Sequence, residues 1–153
     1  MDKEATYQLL VKQVESLLAD ESNTVGQLAN AASLLHDTMQ WWWTGFYLVK
    51  DGELQLGPFQ GPIACYSIKK GRGVCGTAWQ EDRTIVVPDV EQFPGHIACS
   101  SLSRSEIVVP LHNASGDVIG VLDIDSKDVG AFDDIDARWL EAVARVIEEN
   151  VEL

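Results

Sequence analysis

Three cysteines, Cys65, Cys75 and Cys99, are the first candidates for chemistry in this chain. Cys75 falls in the first turn of a predicted short helix, where the helix dipole lowers the pKa of a thiol. Cys99 falls in a long segment with no predicted element, so we expect it to be accessible. An accessible thiol of low pKa near other thiols can be oxidised reversibly through a sulfenic acid to a disulfide. The alternative is that each cysteine is a small, inert apolar residue of the core.

Three carboxylates form a second candidate group. Asp123 and Asp125 interrupt the apolar strand that begins at residue 118, and strand alternation places both side chains on the same face of the sheet. Glu106 begins the apolar strand 107–109. If a hairpin pairs the two strands, the three acids converge on one end of the sheet, where they could bind an ammonium group or share a proton. The alternative is an exposed strand end.

Metal binding would use the same residues. Cys65, Cys75 and Cys99 together with His96 offer four zinc ligands, but structural zinc sites usually draw on closely spaced cysteine pairs, which this sequence lacks. The three acids could instead hold magnesium or calcium. His96 could also serve as a base for Cys99, three residues further on. We expect none of these, and predict a protein that works without a metal.

Two further motifs have structural interpretations. Residues 71–76, GRGVCG, match the dinucleotide-binding pattern GxGxxG, but the preceding residues 65–70 are only half apolar and the following helix is short. A tight turn into a short helix is the better interpretation. Trp41, Trp42 and Trp43 form the second motif, and alternation would place the first and the third on one face. They could pack in the core or a dimer interface, or form an aromatic wall for an apolar ligand group.

Apolar periodicity predicts the elements that position these residues. The predicted helices cover about residues 3–19, 22–36 and 74–81 and a final segment capped by Asp133, with an apolar stripe of Ile135, Trp139, Val143 and Ile147. The predicted strands cover residues 43–49, 53–59, 65–68, 84–87, 106–112 and 118–125, and residues 88–105 carry no clear element. This order predicts an α+β domain, with a mainly antiparallel sheet and the N- and C-terminal helices packed on one face.

Composition sets limits on partners and compartment. The chain has 153 residues, 46% of them hydrophobic, which suits a single domain over residues 1–153. With 11 basic and 24 acidic residues, its net charge of −13 argues against nucleic acid and against an anionic membrane surface as partners. No secretory signal and no apolar run of ~20 residues is visible, and three cysteines do not make a secreted disulfide framework. We expect a cytoplasmic protein.

Five stretches together resemble a known family. They are residues 43–47 (WTGFY), 71–78 (GRGVCGTA), 93–99 (FPGHIAC), 105–110 (SEIVVP) and 120–126 (GVLDIDS), in the order and with the cysteines of the GAF-domain free methionine-(R)-sulfoxide reductases. The resemblance runs from about residue 43 to residue 132. It implies a GAF fold, a homodimer, no metal or cofactor, and reduction of free L-methionine-(R)-sulfoxide.

The same resemblance assigns roles to residues. Cys99 matches the thiol that attacks the sulfoxide, and Cys65 and Cys75 match the recycling thiols, with Cys65 as the first partner. The substrate-holding acids match Glu106, Asp123 and Asp125, and the aromatic wall matches Trp43. Ser100 departs from the pattern, because many members carry an acid directly after the attacking cysteine.

The chemistry implied by the family needs the thiols and acids singled out above. A thiolate attacks sulfur well only if the sulfoxide oxygen is protonated or hydrogen-bonded, and Glu106 or Asp125, kept neutral by its acidic neighbours, could supply that proton. A second cysteine then condenses with the sulfenic acid, and a thioredoxin-like dithiol reduces the disulfide. Two other functions compete: a GAF sensor that binds a small ligand, and a thiol redox sensor without turnover.

Overall fold

The computed structural model describes residues 2–96 and 102–153. Helix α1 covers Lys3–Leu18 and helix α2 covers Thr24–Met39, each begun by a side chain that caps a backbone amide, from Asp2 and Asn23. Both helices were predicted. Helix α2 continues three residues beyond the predicted end at His36 and stops where Gln40 adopts a left-handed conformation.

Six strands form one sheet in which every pairing is antiparallel among the residues described. The strands are β1 (Trp43–Lys50), β2 (Glu53–Gln60), β3 (Ser67–Ile68), β4 (Ile85–Val87), β5 (Ser105–His112) and β6 (Val118–Ser126), in the spatial order β3-β2-β1-β6-β5-β4. Helix α3 (Gly73–Glu81) follows β3, a short 3-10 turn (Val90–Gln92) follows β4, and helix α4 (Asp134–Asn150) follows β6. The predicted α+β class and antiparallel sheet are confirmed.

The two faces of the sheet carry separate apolar clusters. On one face, helices α1, α2 and α4 pack against inward side chains such as Phe46, Ile107 and Leu122, all fully buried. On the other face, helix α3 packs against a smaller cluster that includes Tyr47, Val108 and Val121. The predicted placement of the terminal helices on one face is therefore confirmed, and α3 alone among the described helices covers the opposite face.

Helix α4 begins with a reciprocal cap. Asp133 accepts hydrogen bonds from the backbone amides of Ile135 and Asp136, and the Asp136 carboxylate accepts one from the Asp133 amide. The buried Asp136 also accepts hydrogen bonds from the Tyr7 hydroxyl at 2.5 Å and from the Lys3 ammonium at 2.8 Å. These bonds join the first and last helices. Among the described residues, no helix combines the length and the apolar character needed to cross a lipid bilayer.

Register brings three distant segments to one row across the sheet. Asp125 of β6 lies opposite Trp43 of β1 on one side and opposite Glu106 of β5 on the other. In the next row Asp123 lies between Gly45 and Val108. Because directly opposed residues of an antiparallel sheet point to the same face, the acids and the tryptophan share the face that α3 covers.

Candidate active site

A pocket opens at this end of the sheet, between α3, the strands β1, β5 and β6, and the segment that links β2 to β3. It holds about 590 Å³ of space, part of it open to solvent. Its lining includes the predicted site residues Trp43, Cys75, Glu106, Asp123 and Asp125, together with Trp42 and His96. The alternation of β6 and its pairing with β1 and β5 bring these residues together.

The three acids of the pocket are buried. Glu106 and Asp123 are 6% and 5% exposed, and the carboxylate of Asp125 accepts a hydrogen bond of 3.1 Å from the Ser103 hydroxyl. One oxygen of Asp123, Oδ1, is fully buried and has no hydrogen-bond partner among the described residues. A buried polar atom without a partner costs free energy, so this oxygen is suited to receive a donor from a ligand.

Burial changes the protonation of these acids. It raises the pKa of Glu106 and of Asp125 well above their usual values, and the charge of Asp123 raises both further. Burial also raises the pKa of Asp123, although hydrogen bonds from Glu106 and Cys75 oppose that change. Three carboxyl groups this close cannot all be ionised, because each charge disfavours the next. The pocket therefore combines a negative charge, best placed on Asp123, with protonated carboxyl groups that can donate.

Cys75 is a free, buried thiol whose Sγ lies 3.9 Å from Oε2 of Glu106. Burial raises its pKa well above the usual value, and the charges of Asp123, Glu106 and Asp125 raise it further. The prediction that the helix dipole lowers this pKa is wrong. The position in the first turn of α3 is as predicted, but burial and three neighbouring acids outweigh the dipole. Cys75 is accordingly a neutral thiol in this structure.

Of the other two cysteines, the structure describes Cys65 but not Cys99. Cys65 is partly buried in the segment between β2 and β3, it is disulfide-bonded, and its carbonyl accepts a hydrogen bond of 2.9 Å from the Tyr47 hydroxyl. Cys99 and Ser100 lie outside the described residues. His96 lines the pocket, and partial burial lowers its pKa more than the charge of Asp123 raises it, so the imidazole is neutral at pH 7.

An aromatic wall closes one side of the pocket. The Trp43 ring stacks on Phe59 with ring centres 5.1 Å apart and on Tyr47 at 6.1 Å, and its Nε1 donates a hydrogen bond of 2.9 Å to the Pro62 carbonyl. Gly45 makes this packing possible, because a Cβ atom there would lie 2.3 Å from Phe59 Cβ and 2.8 Å from the edge of the Trp43 ring. The ring is thus fixed in place beside the acids.

The tryptophan run does not follow the predicted alternation. Trp41 and Trp43 were expected on one face, but β1 begins only at Trp43, and Trp41 packs on the helical face against Phe132 with ring centres 6.0 Å apart. Trp42, which alternation would place on the face opposite Trp43, also lines the pocket. Tyr47 was missed, although it follows Trp43 by four residues, an even spacing that puts both side chains on one face of a strand.

The first turn of α3 faces the pocket as well. Arg72, Gly73 and Val74 line it, and within residues 2–96 and 102–153 no side chain caps the amide groups at this end of the helix. Gly71 and Gly73 have positive φ angles of 80° and 63°, which form the tight turn predicted from the GxGxxG match. Backbone amides at a helix start favour an anionic group. The pocket is therefore lined both by the acids and by backbone amides that favour a negative group.

Cys75, Glu106 and Asp123 could also hold a metal ion, because one ligand atom from each lies within 4.8 Å of the others. Binding an ion there would require the Cys75 thiol and the carboxyl groups to lose their protons, whereas burial favours their protonated forms. Of the four zinc ligands considered from the sequence, Cys65 is disulfide-bonded and Cys99 lies outside the described residues.

Comparisons with known proteins identify relatives of this chain and of its fold. The GAF domain family model matches residues 19–152. The chain is 54% identical to GAF domain-containing protein A of Dictyostelium discoideum over 95% of this chain and 92% of that protein. It is 44% identical to the free methionine-R-sulfoxide reductase of Escherichia coli, over 97% of this chain and 90% of that protein.

Its fold also superposes on a solved structure. The X-ray structure of free methionine-R-sulfoxide reductase from Neisseria meningitidis, in complex with its substrate, aligns with a TM-score of 0.96 at 52% identity. The alignment covers 98% of this chain and 90% of that chain.

Proposed function

Because the chain belongs to the GAF-domain family that includes the free methionine-R-sulfoxide reductases, we propose that it reduces free L-methionine-(R)-sulfoxide to L-methionine. The observation that carries the proposal is the cluster of Glu106, Asp123 and Asp125 buried beside the Trp43 ring. A sulfoxide needs a proton donor, an amino acid needs a partner for its ammonium group, and an S-methyl group needs an apolar wall. This pocket offers all three, within one GAF-like domain over residues 1–153.

The substrate would bind by its charges and its methyl group. We propose that its ammonium group donates to Asp123, whose Oδ1 has no hydrogen-bond partner among the described residues. Its carboxylate would accept from the free amides at the start of α3, beside the exposed Arg72. The methyl group would pack against the stacked rings of Trp43 and Tyr47. The sulfoxide would then lie next to Glu106 and Asp125.

Three balanced steps would complete the reaction. The Cys99 thiolate attacks the sulfoxide sulfur while Glu106 or Asp125 protonates the oxygen, so methionine leaves and Cys99 becomes a sulfenic acid. The Cys65 thiol then condenses with the sulfenic acid, forming a disulfide and water. A dithiol reductant returns two electrons and two protons to the two sulfurs. The disulfide at Cys65 and the free, neutral thiol of Cys75 support Cys65 as the first partner.

The direct test is release of methionine from the free (R)-sulfoxide with dithiothreitol as reductant. In a single turnover without reductant, Cys99→Ser is expected to release no methionine, whereas Cys65→Ser is expected to release one methionine per chain. With reductant, Cys65→Ser is expected to recycle more slowly than the unaltered chain. One methionine per chain from Cys99→Ser would refute its role as nucleophile. Absence of methionine release by the unaltered chain would refute the reductase and favour the sensor functions.

Comparison of two amide variants would identify the proton donor. Glu106→Gln and Asp125→Asn each keep the shape of the side chain but lose its acidic proton. The variant that removes the general acid is expected to lower kcat by about 100- to 10,000-fold, and the other is expected to lower it less. Equal, small effects would show that neither carboxyl donates the proton.

Restriction to the free amino acid follows from the ammonium site. A hydrogen bond to a charged group contributes about 1.5–3 kcal/mol, so blocking the ammonium should cost about 10- to 100-fold in kcat/KM. N-acetylmethionine-(R)-sulfoxide is therefore expected to be a poor substrate. Comparable kcat/KM for the acetylated and free sulfoxides would contradict the ammonium site, and preference for the (S) epimer would contradict the reductase assignment.

The resemblance to the family supports three further parts of the proposal. The chain would act as a homodimer, take its electrons from a thioredoxin-like protein, and work in the cytoplasm, where such dithiols are kept reduced. Sedimentation of the purified chain would test the first part.

A further inference from the structure

Two apolar side chains next to the disulfide are exposed to an unusual degree. Ile63 is 89% exposed and Tyr66 is 86% exposed, more than any other large apolar side chain among the described residues. They lie on either side of Cys65 in the sequence, in the segment between β2 and β3. Tyrosine and isoleucine at such exposure lose the stabilisation of burial, and exposed apolar groups that cluster commonly mark an interaction site.

The same segment continues into a basic run. Lys69, Lys70 and Arg72 are all exposed and account for three of the 11 basic residues of a chain whose net charge is −13. None of the three forms a salt bridge with any residue in the described parts of the chain. Lys70 lies over the Trp79 ring at 5.1 Å, which holds its charge at the surface. The segment is thus a basic patch on an acidic protein.

We propose that Ile63, Tyr66, Lys69, Lys70 and Arg72 form the docking surface for an acidic dithiol protein that reduces the disulfide at Cys65. This inference rests on the proposed function, because only a reductase that turns over needs such a partner. We refer to these five residues as the reductant surface.

The size and composition of the reductant surface suit a transient protein partner. Such contacts bury about 800 Å² or less per partner, with an apolar centre and a polar rim. Here the disulfide has an apolar residue on each side, and the basic residues follow within one short segment. Aromatic side chains at the centre of an interface commonly carry much of the binding energy, and Tyr66 is the aromatic residue adjacent to Cys65.

Charge selects the orientation of the partner. A net charge of −13 repels an acidic protein from most directions, while a local basic patch attracts it. Complementary charges of this kind mainly raise the association rate and are weakened by salt. An acidic dithiol protein would therefore approach preferentially with its active site toward Cys65.

The reduction step balances as a thiol–disulfide exchange. A thiolate of the partner attacks one sulfur of the Cys65 disulfide, a mixed disulfide forms, and the other sulfur leaves as a thiolate. The second thiol of the partner then attacks the mixed disulfide and becomes part of its own disulfide. Two electrons and two protons pass from the partner to this chain.

Two variants with matched controls test the reductant surface, with thioredoxin as the probe and methionine release as the readout. Tyr66→Ser is expected to lower kcat/KM for thioredoxin by about 30-fold, the effect of losing a central aromatic residue. Lys69→Glu is expected to lower it by about tenfold and to weaken its dependence on salt. Val25→Ser on α2 and Lys12→Glu on α1 replace an exposed apolar residue and an exposed lysine elsewhere, and are expected to leave kcat/KM for thioredoxin unchanged.

Dithiothreitol separates the outcomes, because it needs no docking surface. All four variants are expected to match the unaltered chain when dithiothreitol is the reductant. The reductant surface is refuted if Tyr66→Ser and Lys69→Glu are as active as the unaltered chain with thioredoxin. It is also refuted if the two variants lose as much activity with dithiothreitol as they lose with thioredoxin. Failure of the unaltered chain to release methionine with dithiothreitol would instead refute the proposed function.

Discussion

At the scale of single residues, the buried acids cost stability. Burial raises the pKa values of Glu106 and Asp125 in the folded chain. The contribution of each acid to the free energy of unfolding is therefore most favourable below its unfolded pKa, and it is lost as the pH rises through its folded pKa. At neutral pH the pocket therefore holds groups that favour the unfolded chain. Active sites commonly retain such groups, because the chemistry needs a carboxyl group that keeps its proton.

Asp125→Asn is predicted to stabilise the chain while lowering kcat/KM. Asparagine can still accept the hydrogen bond from Ser103 but cannot ionise. The free energy of unfolding is expected to rise by about 1–3 kcal/mol at pH 8, with a much smaller gain near pH 4. Urea titrations at the two pH values measure this. A variant less stable than the unaltered chain at pH 8 would contradict the raised pKa of Asp125.

The acids could be predicted from the sequence, and the state of Cys75 could not. Asp123 and Asp125 stand out because they interrupt an apolar strand two residues apart, and a period of two fixes their shared face. The prediction for Cys75 used only its own helix. Its pKa depends on the contact of α3 with β5 and β6, which no local pattern encodes.

At the scale of elements, the bulged pairing of β1 with β2 fixes the aromatic wall. The register shifts between Gly45 and Tyr47, and the Cβ that Gly45 lacks would collide with both Phe59 and Trp43. The strands themselves could be predicted, because Asp51-Gly52 is a strong hairpin signal between two β-type segments. The pairing of β1 with β6, which brings Trp43 next to Asp125, is non-local and was not predicted.

Gly45→Ala is predicted to destabilise the chain and to weaken substrate binding. Displacement of Phe59 and Trp43 should lower the free energy of unfolding by about 1–3 kcal/mol and raise KM for the free sulfoxide. Gly57→Ala on the neighbouring strand is the control, since its nearest contact would be 3.1 Å rather than 2.3 Å. Urea unfolding and steady-state kinetics provide the measurements. A larger effect at Gly57 than at Gly45 would argue against a wall held by close packing.

At the scale of the whole molecule, His112 links three elements across the fold. Its Nε2 lies 2.6 Å from a carboxylate oxygen of Asp82 at the end of α3, and its Nδ1 lies 2.8 Å from Glu148 on α4. Arg145 of α4 also contacts Glu148, at 2.7 Å. Partial burial lowers the pKa of His112, but hydrogen bonds to Asp82 and Glu148 raise it more, to a net value above the usual one.

His112→Gln is predicted to reduce the pH dependence of stability. Because the folded pKa is raised, the stabilisation is complete below the unfolded pKa of about 6.5 and is lost as the pH rises through the folded value. The free energy of unfolding of the unaltered chain should therefore exceed that of the variant by about 1 kcal/mol near pH 6 and by less near pH 9. The difference is small because Asp82 is exposed to solvent. Thermal unfolding across this range measures the difference. A gap that widens with pH would contradict the assignment.

The protons held in the pocket have a consequence for substrate binding. Arrival of a cation beside Asp123 lowers the pKa of Glu106 and Asp125 as well, so part of their protons should leave for the buffer. The heat of binding would then depend on the ionisation enthalpy of that buffer. Titration calorimetry in phosphate and in Tris at one pH should give different enthalpies, and the slope counts the protons released. Asp125→Asn should flatten that slope, whereas identical heats in both buffers would mean that the acids keep their protons when the site fills.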